Sequence, residues 1–390
     1  MLPEFENTEI AFRYRSDKDL KQARFLFNSM GSPLLTSIGM RATKIALALH
    51  LPIEGLVRKT IFNQFCGGET MGDAAHTADA LSQYGIGVIL DYGVEGKDNE
   101  EDFDKAVPEF IKAIRYAASQ KSIPFISIKV TGFARFSLLE KLHAGEQLSN
   151  SEQNEWGRVK KRIEAICSAG ATEGIMVLVD AEESWVQQPV DDLAGAMMEQ
   201  FNKQKPVVFN TFQLYRNDRL EFLKISEVKA DNKGYILGAK LVRGAYMEKE
   251  RRRAAEKGYP DPIQKSKADT DKDYDDAVTY CLARLDKVAV FIGTHNEHSC
   301  LLAARYMEEH KIAPTNAHLW FSQLYGMSDN ISFNLANSGY QVAKYLPYGP
   351  VKDVMPYLMR RAQENTSVAG QTGRELMLIN KEMKRRTLIK

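Results

Sequence analysis

Residues 175–213 read IMVLVDAEESWVQQPVDDLAGAMMEQFNKQKPVVFNTFQ, and this stretch decides the fold. Two short apolar, β-branched runs, IMVLVD (175–180) and VVFNTF (207–212), bracket a longer stretch of helical character. A strand, a helix and a second strand in that order form a parallel unit, because parallel neighbours need a long crossover. The alternation recurs along the chain from residue 86 onward. The other runs are GVILDY (87–92), FISIKV (125–130), LGAKLV (237–242), VAVFIG (288–293), HLWFSQL (318–324) and YQVAKYL (340–346). Between them, segments such as EDFDKAVPEFIKAIRYAAS and EQNEWGRVKKRIEAICSAG place apolar residues at helical spacing. Eight such repeats close a barrel more naturally than they extend an open sheet, so the expected fold is an α/β (β/α)8 TIM-like barrel.

Outward from the barrel, residues 1–80 read as a helical arm packed on it, with KIALALHLPIEGLVRKTIFNQF amphipathic in part. Residues 81–390 then form the barrel and a C-terminal helix. Two helix-like segments, PVKDVMPYLMRRAQENTS and GRELMLINKEMKRR, follow the eighth run where a plain barrel needs one. The charged stretch at 250–275 reads either as a solvated loop or as a flap over a cofactor. Within it, ADTDKDYDD lacks the glycine and final glutamate of a calcium loop, and acid enrichment at a helix N-terminus explains it better.

With 52 Lys and Arg against 51 Asp and Glu, the chain has no global field to draw nucleic acid, so anion recognition must be local. Cys66, Cys167, Cys281 and Cys300 show no metal spacing and read as reduced structural thiols; no metal site is expected. The acidic start MLPEFENTEIAF resembles no targeting segment, and no apolar run is long enough to span a bilayer. A cytoplasmic location is expected. The basic tail LMLINKEMKRRTLIK reads as a surface helix, with peripheral contact at the inner membrane as the alternative.

Active sites of such barrels lie at the C-terminal strand ends. Asp91, Lys129, Asp180, Gln213, Thr294 with His295, and Tyr345 fall at these ends, and Lys240 lies within the fifth run. After the eighth run, Tyr357, Arg360, Arg361 and Glu364 stand at i, i+3, i+4 and i+7, on one helix face. Two adjacent helical arginines are commonly solvated. Here the apolar Val354 and Leu358 nearby favour a face turned inward, where planar guanidinium forks suit a small carboxylate. GIG at 85–87 falls short of a dinucleotide fingerprint, and GxxxxGK[ST], HExxH and GxSxG do not occur.

Seven ordered segments carry a resemblance: ISIKVTG, LVDAEES, NTFQLY, KLVRGAYMEKERRRA, GTHNEHS, LYGMSD and YLPYGPVKDVMPYLMRRAQENTS. Over roughly residues 60–385 the chain resembles the proline dehydrogenases, in the monofunctional, eukaryotic-type branch. The resemblance implies a distorted barrel that holds FAD, with the last barrel helix over the strand ends. It implies oxidation of L-proline to Δ1-pyrroline-5-carboxylate, hydride passing to flavin N5 and electrons then to a quinone. Arg360 and Arg361 match the arginines that hold the substrate carboxylate, and Lys129 a lysine near substrate and flavin. Tyr345, Tyr357 and Leu324 match the pocket wall, Asp180 a residue that steadies the first tyrosine, and Glu95 an acid that pairs with the first arginine. Gln213 and Lys240 match positions near the flavin ring, with Lys240 standing where many bacterial relatives carry arginine. Arg243, Gly244, Ala245, Thr294, His295 and Asn296 match positions around the ribityl and pyrophosphate, and Glu364 an acid of the same helix face.

Tyr345 keeps a bulky phenol where relatives that favour hydroxyproline carry a smaller residue, so proline is the expected substrate. Two other classes fit the residues taken alone. A Schiff-base aldolase would use Lys129, and an amino-acid sensor would reuse the arginine clamp without turnover.

Overall fold

The computed structural model describes residues 2–32, 39, 41, 53–93, 99–367 and 371–388, without the side chains at 363–367 and 371. All eight expected strands form: β1 (Ile86–Tyr92), β2 (Phe125–Ile128), β3 (Met176–Val179), β4 (Val208–Gln213), β5 (Leu237–Val242), β6 (Val288–Gly293), β7 (Leu319–Leu324) and β8 (Val342–Tyr348). They close a barrel in sequence order. Pairing is parallel wherever register is defined, from Ile86 opposite Val342 to Tyr92 opposite Tyr348 and from Leu237 opposite Val288 to Leu241 opposite Ile292. Strand ends shift slightly from the sequence reading. A 3-10 turn at Val130–Gly132 stops β2 at Ile128, so Lys129 stands just past it, and Asp180 stands just past β3.

The helices are α1 (Thr8–Phe12), α2 (Asp17–Met30), α3 (Glu54–Val57), α4 (Asn63–Phe65), α5 (Met71–Ser82), α6 (Glu100–Ala118), α7 (Phe136–His143) and α8 (Asn150–Glu173). They continue with α9 (Ser184–Phe201), α10 (Arg219–Lys233), α11 (Met247–Lys257), α12 (Lys267–Leu282), α13 (Glu297–Glu309), α14 (Asp329–Asn337), α15 (Val351–Ser367) and α16 (Gln371–Arg385). A π-helical turn at Arg58–Phe62 joins α3 to α4. Of the amphipathic stretch expected in the arm, residues 54–65 are helical, and most of the remainder lies outside the described residues.

The chain divides into two compact units, one chiefly Gly96–Ser322 and the other Pro3–Glu95 with Gln323–Lys390. In the first, the ring of Phe125 at the start of β2 meets Phe209, Phe291 and Trp320 edge-on at 6.2, 5.1 and 5.0 Å. Edge-to-face packing of this kind fills the space between strands with apolar bulk, leaving the opposite strand ends for polar residues. The second unit has its own core, in which Phe12, Leu20, Phe27 and Phe65 of the arm pack with Leu358, Leu378, Ile379 and Met383. This accounts for the extra helix after β8: α16 buries its apolar face with α2 and α1.

The charged stretch at 250–275 is mostly helix rather than a solvated loop. Gly258, at φ +72°, ends α11 in the left-handed region where a side chain is strained. Ser266 and Asp269 form a capping box at the start of α12, and the other acids of ADTDKDYDD have protein partners: Asp271 pairs with Arg243, Asp273 accepts from Gln264, Asp275 accepts from Ser299 and Asp276 pairs with Lys272. The four cysteines are buried and unbridged.

Candidate active site

In the first unit the polar strand ends are held by one another. Lys240 and Asp180 are both buried, and Nζ of Lys240 donates to Oδ1 of Asp180 at 2.6 Å. The lysine faces the acid across β4, and each offsets the desolvation of the other. Gln213, buried at the end of β4, donates Nε2 to the carbonyl of Glu182 at 2.8 Å. The Glu182 carboxylate accepts from the hydroxyl of Thr131 at 2.6 Å and from its N–H at 3.1 Å. Thr131 lies two residues past the half-buried Lys129, so Glu182 fixes the turn that carries this lysine. Burial pushes the Glu182 carboxyl up to about 7, reinforced by Glu183 and opposed by the Thr131 donors and the Lys129 charge.

Behind these ends runs a buried polar chain that the sequence reading missed. The Glu182 N–H donates to Oε1 of Gln187 at 2.8 Å, and Nε2 of Gln187 donates to Asp191 at 2.8 Å. Asp191 also accepts from Asn210 at 2.9 Å and pairs with Arg219 at 2.6 Å. A signal was present, since EESWVQQPVDD puts acids and amides in the first turns of a helix that must pack on the sheet, but only burial separates these from solvated charges.

Arg243, just past β5, is held on three sides. Nε donates to Asp271 at 2.7 Å, NH1 to the Thr294 hydroxyl at 2.7 Å and NH2 to Ser299 at 3.0 Å, and the guanidinium lies 4.3 Å from the Tyr274 ring centroid. Thr294 in turn accepts from the Asn296 N–H at 3.1 Å, and the Asn296 side chain caps α13 by accepting from His298 and Ser299 at 2.8 and 3.2 Å. His295 is half-buried between them. Gly244 adopts φ +139°, and a Cβ there would stand 2.4 Å from the Tyr215 ring. Gly244 and Ala245 are exposed, next in the chain to Arg243, whose guanidinium reaches Thr294 and Ser299 at the capped start of α13. Backbone groups, a guanidinium and a helix N-terminus suit the phosphates of a dinucleotide-type cofactor, so these residues fit FAD.

In the second unit, Gly349 at φ +143° and Pro350 turn the chain from β8 into α15. Gly93, past β1, leaves room for that turn, for a Cβ would meet Val354 at 2.5 Å. Val354, Leu358, Tyr357 and Arg361 are buried while Lys352 and Pro356 on the same helix are exposed. Arg361 is thus not a solvated charge: at 8% exposure its guanidinium lies 5.2 Å from the Tyr357 ring centroid. Arg360 is half-buried. Tyr345 in β8 and Leu324 at the end of β7 are half-buried, and the Tyr345 carbonyl accepts from the Tyr325 N–H at 2.9 Å. Glu364 lies on α15, with its side chain outside the described residues, and Glu95 lies outside them altogether.

A second network, also missed, surrounds Asp329 at the start of α14. It accepts from Tyr14 at 2.7 Å and from Arg15 at 3.0 Å, and pairs with the fully buried Lys344 at 2.9 Å. Nearby, burial pushes Glu375 up to about 7, with the Asp329 charge adding to the rise and the Ser328 N–H, Lys344 and Arg15 opposing it.

Residues 74–374 match the family model described as proline dehydrogenase. The chain is 34% identical over 334 residues to the carbapenem antibiotics biosynthesis protein CarD of Pectobacterium carotovorum subsp. carotovorum, covering 85% of this chain and 86% of that protein. It is 32% identical to the mitochondrial proline dehydrogenase 1 of Dictyostelium discoideum, covering 87% and 67%. The crystal structure of proline utilization A from Bdellovibrio bacteriovorus, inactivated by N-propargylglycine, superposes with a TM-score of 0.71 at 19% identity. That likeness is one of fold, and it covers 94% of this chain but only 37% of the longer protein.

Proposed function

This chain belongs to the proline dehydrogenase family, oxidoreductases that act on proline at the first step of proline catabolism, and we propose that it converts L-proline to Δ1-pyrroline-5-carboxylate using FAD. The observation that carries the reading is the burial of Arg361 over Tyr357 on α15, within the stretch that the family model matches, since a buried guanidinium beside an aromatic ring suits an anionic ligand. Arg360 and Arg361 hold the substrate carboxylate through charge-assisted hydrogen bonds. Tyr345, Tyr357 and Leu324 wall the ring, and Glu95 pairs with Arg360. Lys129 stands near the amine, whose proton passes to it or to solvent before the C–H bond breaks.

Arg243, Gly244, Ala245, Thr294, His295 and Asn296 hold the ribityl and pyrophosphate portion, with Glu364 on the substrate helix. Gln213 and Lys240 lie near the flavin ring, and Asp180 fixes the position of Lys240. The chemistry that bound FAD supplies is two-electron acceptance: hydride at N5 from the ring carbon next to nitrogen, and onward delivery of the electrons to a quinone. A lipid-soluble acceptor makes peripheral membrane contact part of the reading, with the exposed Met377 and the basic end of α16 as the contact, since Leu378, Ile379 and Met383 are buried in the core; among the described residues no helix is long and apolar enough to cross a bilayer. Residues 1–80 act as the arm and 81–390 as the catalytic barrel.

The test is proline-dependent reduction of a dye acceptor by the FAD-loaded protein, with hydroxyproline as comparison. Turnover with a higher kcat/KM for proline supports the reading. Proline binding without acceptor reduction would mark a sensor, and a colourless protein trapped by borohydride on a carbonyl substrate would mark an aldolase.

A further inference from the structure

We propose that Glu250 is a positioning residue for the cofactor: a buried latch that fixes the Arg243–Tyr246 segment by tying α11 to the first turn of α9. The proposal rests on the FAD reading above. Glu250 sits in MEKERRRAAEK, a run whose charges mostly face solvent, yet it is 0% exposed. A carboxylate is withdrawn from water in this way only where strong donors meet it. Both donors here come from one residue. The N–H of Ser184 donates to Oε1 at 2.6 Å and its hydroxyl to Oε2 at 2.6 Å.

Ser184 is the first residue of α9, and the residue before it makes no side-chain cap. Glu250 therefore caps α9 from a helix 66 residues further along the chain, where the helix dipole also favours a negative charge. The consequence for the cofactor segment follows from chain continuity. The Glu250 N–H donates to the Tyr246 carbonyl at 2.9 Å, in the first turn of α11, so a shift of α11 moves Tyr246 and, with it, Ala245 and Gly244. On its other side the segment is already fixed, because the Tyr215 N–H donates to the Arg243 carbonyl at 2.7 Å and the Tyr215 ring backs Gly244.

The α9 end of the latch is equally close to the site. Asp180 and Glu182, which hold Lys240 and Gln213, lie two to four residues before Ser184. One carboxylate thus joins the two stretches to which the cofactor residues are assigned. Neighbouring contacts hold α11 in the same seat: Lys249 pairs with Glu183, and the Arg253 guanidinium lies 4.4 Å from the Trp185 ring centroid.

A residue that only stabilised α9 would lower stability without changing cofactor affinity, and this separates the two roles. FAD binding to apo-protein is measured by fluorescence quenching for wild type, Glu250→Ala, Glu250→Gln and Ser184→Ala, together with kcat per bound flavin and KM for proline. Glu250→Ala leaves the Ser184 donors buried without an acceptor, and the FAD Kd is expected to rise about tenfold or more. Glu250→Gln retains an acceptor for the Ser184 N–H and should keep the FAD Kd at the wild-type value. KM for proline and kcat per bound flavin should stay unchanged. If Glu250→Ala does not fold, Ser184→Ala, which removes one of the two bonds, should still raise Kd about threefold. An unchanged Kd in the folded variants overturns the latch alone. A wild type that takes up no FAD overturns the FAD reading and the latch with it.

Discussion

Within Gly96–Ser322, Lys240 ends on Asp180, Gln213 on Glu182, Arg243 on Asp271 and Thr294, and Glu250 on Ser184. On α15 of the other unit, Arg361 lies over the ring of Tyr357, both on the helix face that buries Val354 and Leu358. The first arrangement holds its polar groups by complementary hydrogen bonds, as suits a cofactor of fixed shape that stays in place. The second presents cations along a helix stripe, as suits a small substrate that must enter and leave. By this contrast, substitutions at Lys240, Arg243 and Glu250 should act on cofactor and stability, and those at the arginines of α15 on substrate affinity.

The largest expected effect is on substrate. Arg361→Met removes a bidentate carboxylate donor, so KM for proline should rise about 10²-fold or more while the ratio of flavin to protein absorbance stays as in wild type. A variant that instead loses flavin would break the contrast. Next, Lys240→Met removes a buried positive charge bonded to the buried Asp180 carboxylate and should cost about 3 kcal/mol or more of stability by denaturant titration, whereas Lys240→Arg should retain most of it. Among the described residues, each unit also holds a buried acid raised from an ordinary value of 4.5 to about 7, Glu182 in the first and Glu375 in the second. The folded chain holds these protons more tightly than the unfolded one. Their contribution to stability is therefore full below about 4.5 and is lost as pH rises through about 7, at most about 3 kcal/mol for each. Glu182→Gln and Glu375→Gln should each flatten the pH dependence of Tm across that window. Only Glu182→Gln should also alter kcat, because only Glu182 holds the turn after Lys129. The smallest expected change is about tenfold in specificity: Tyr345→Ser should shift the kcat/KM ratio of proline over hydroxyproline towards hydroxyproline.

The eight strands were legible because each is a short apolar run set between helical spacings, and parallel strands buried on both faces have no other composition open to them. The α15 stripe was legible for the same reason, since i, i+3 and i+4 spacing fixes a face. Periodicity could not show partners. Glu250 reads as one more charge in a basic helix, and Asp191, Asp329 and Lys344 as ordinary polar residues, until tertiary packing removes water from them. The helices within 250–275 were hidden by charge density, because α11 buries only Glu250 and Ala254 and the buried apolar residues of α12, Tyr274, Ala277, Val278, Cys281 and Leu282, fall mostly beyond the charged run.

On the reading proposed above, the arginines of α15 serve proline while Lys240, Arg243 and the Gly244–Ala245 backbone serve the flavin. Anaerobic addition of L-proline to wild type and to Arg361→Met, followed at the flavin absorbance band near about 450 nm, tests it most directly. Both proteins should be yellow, and wild type should bleach at proline concentrations that leave the variant unbleached until roughly 10²-fold more is added. Equal bleaching of both at the same concentration, or a variant that purifies colourless, would contradict the account.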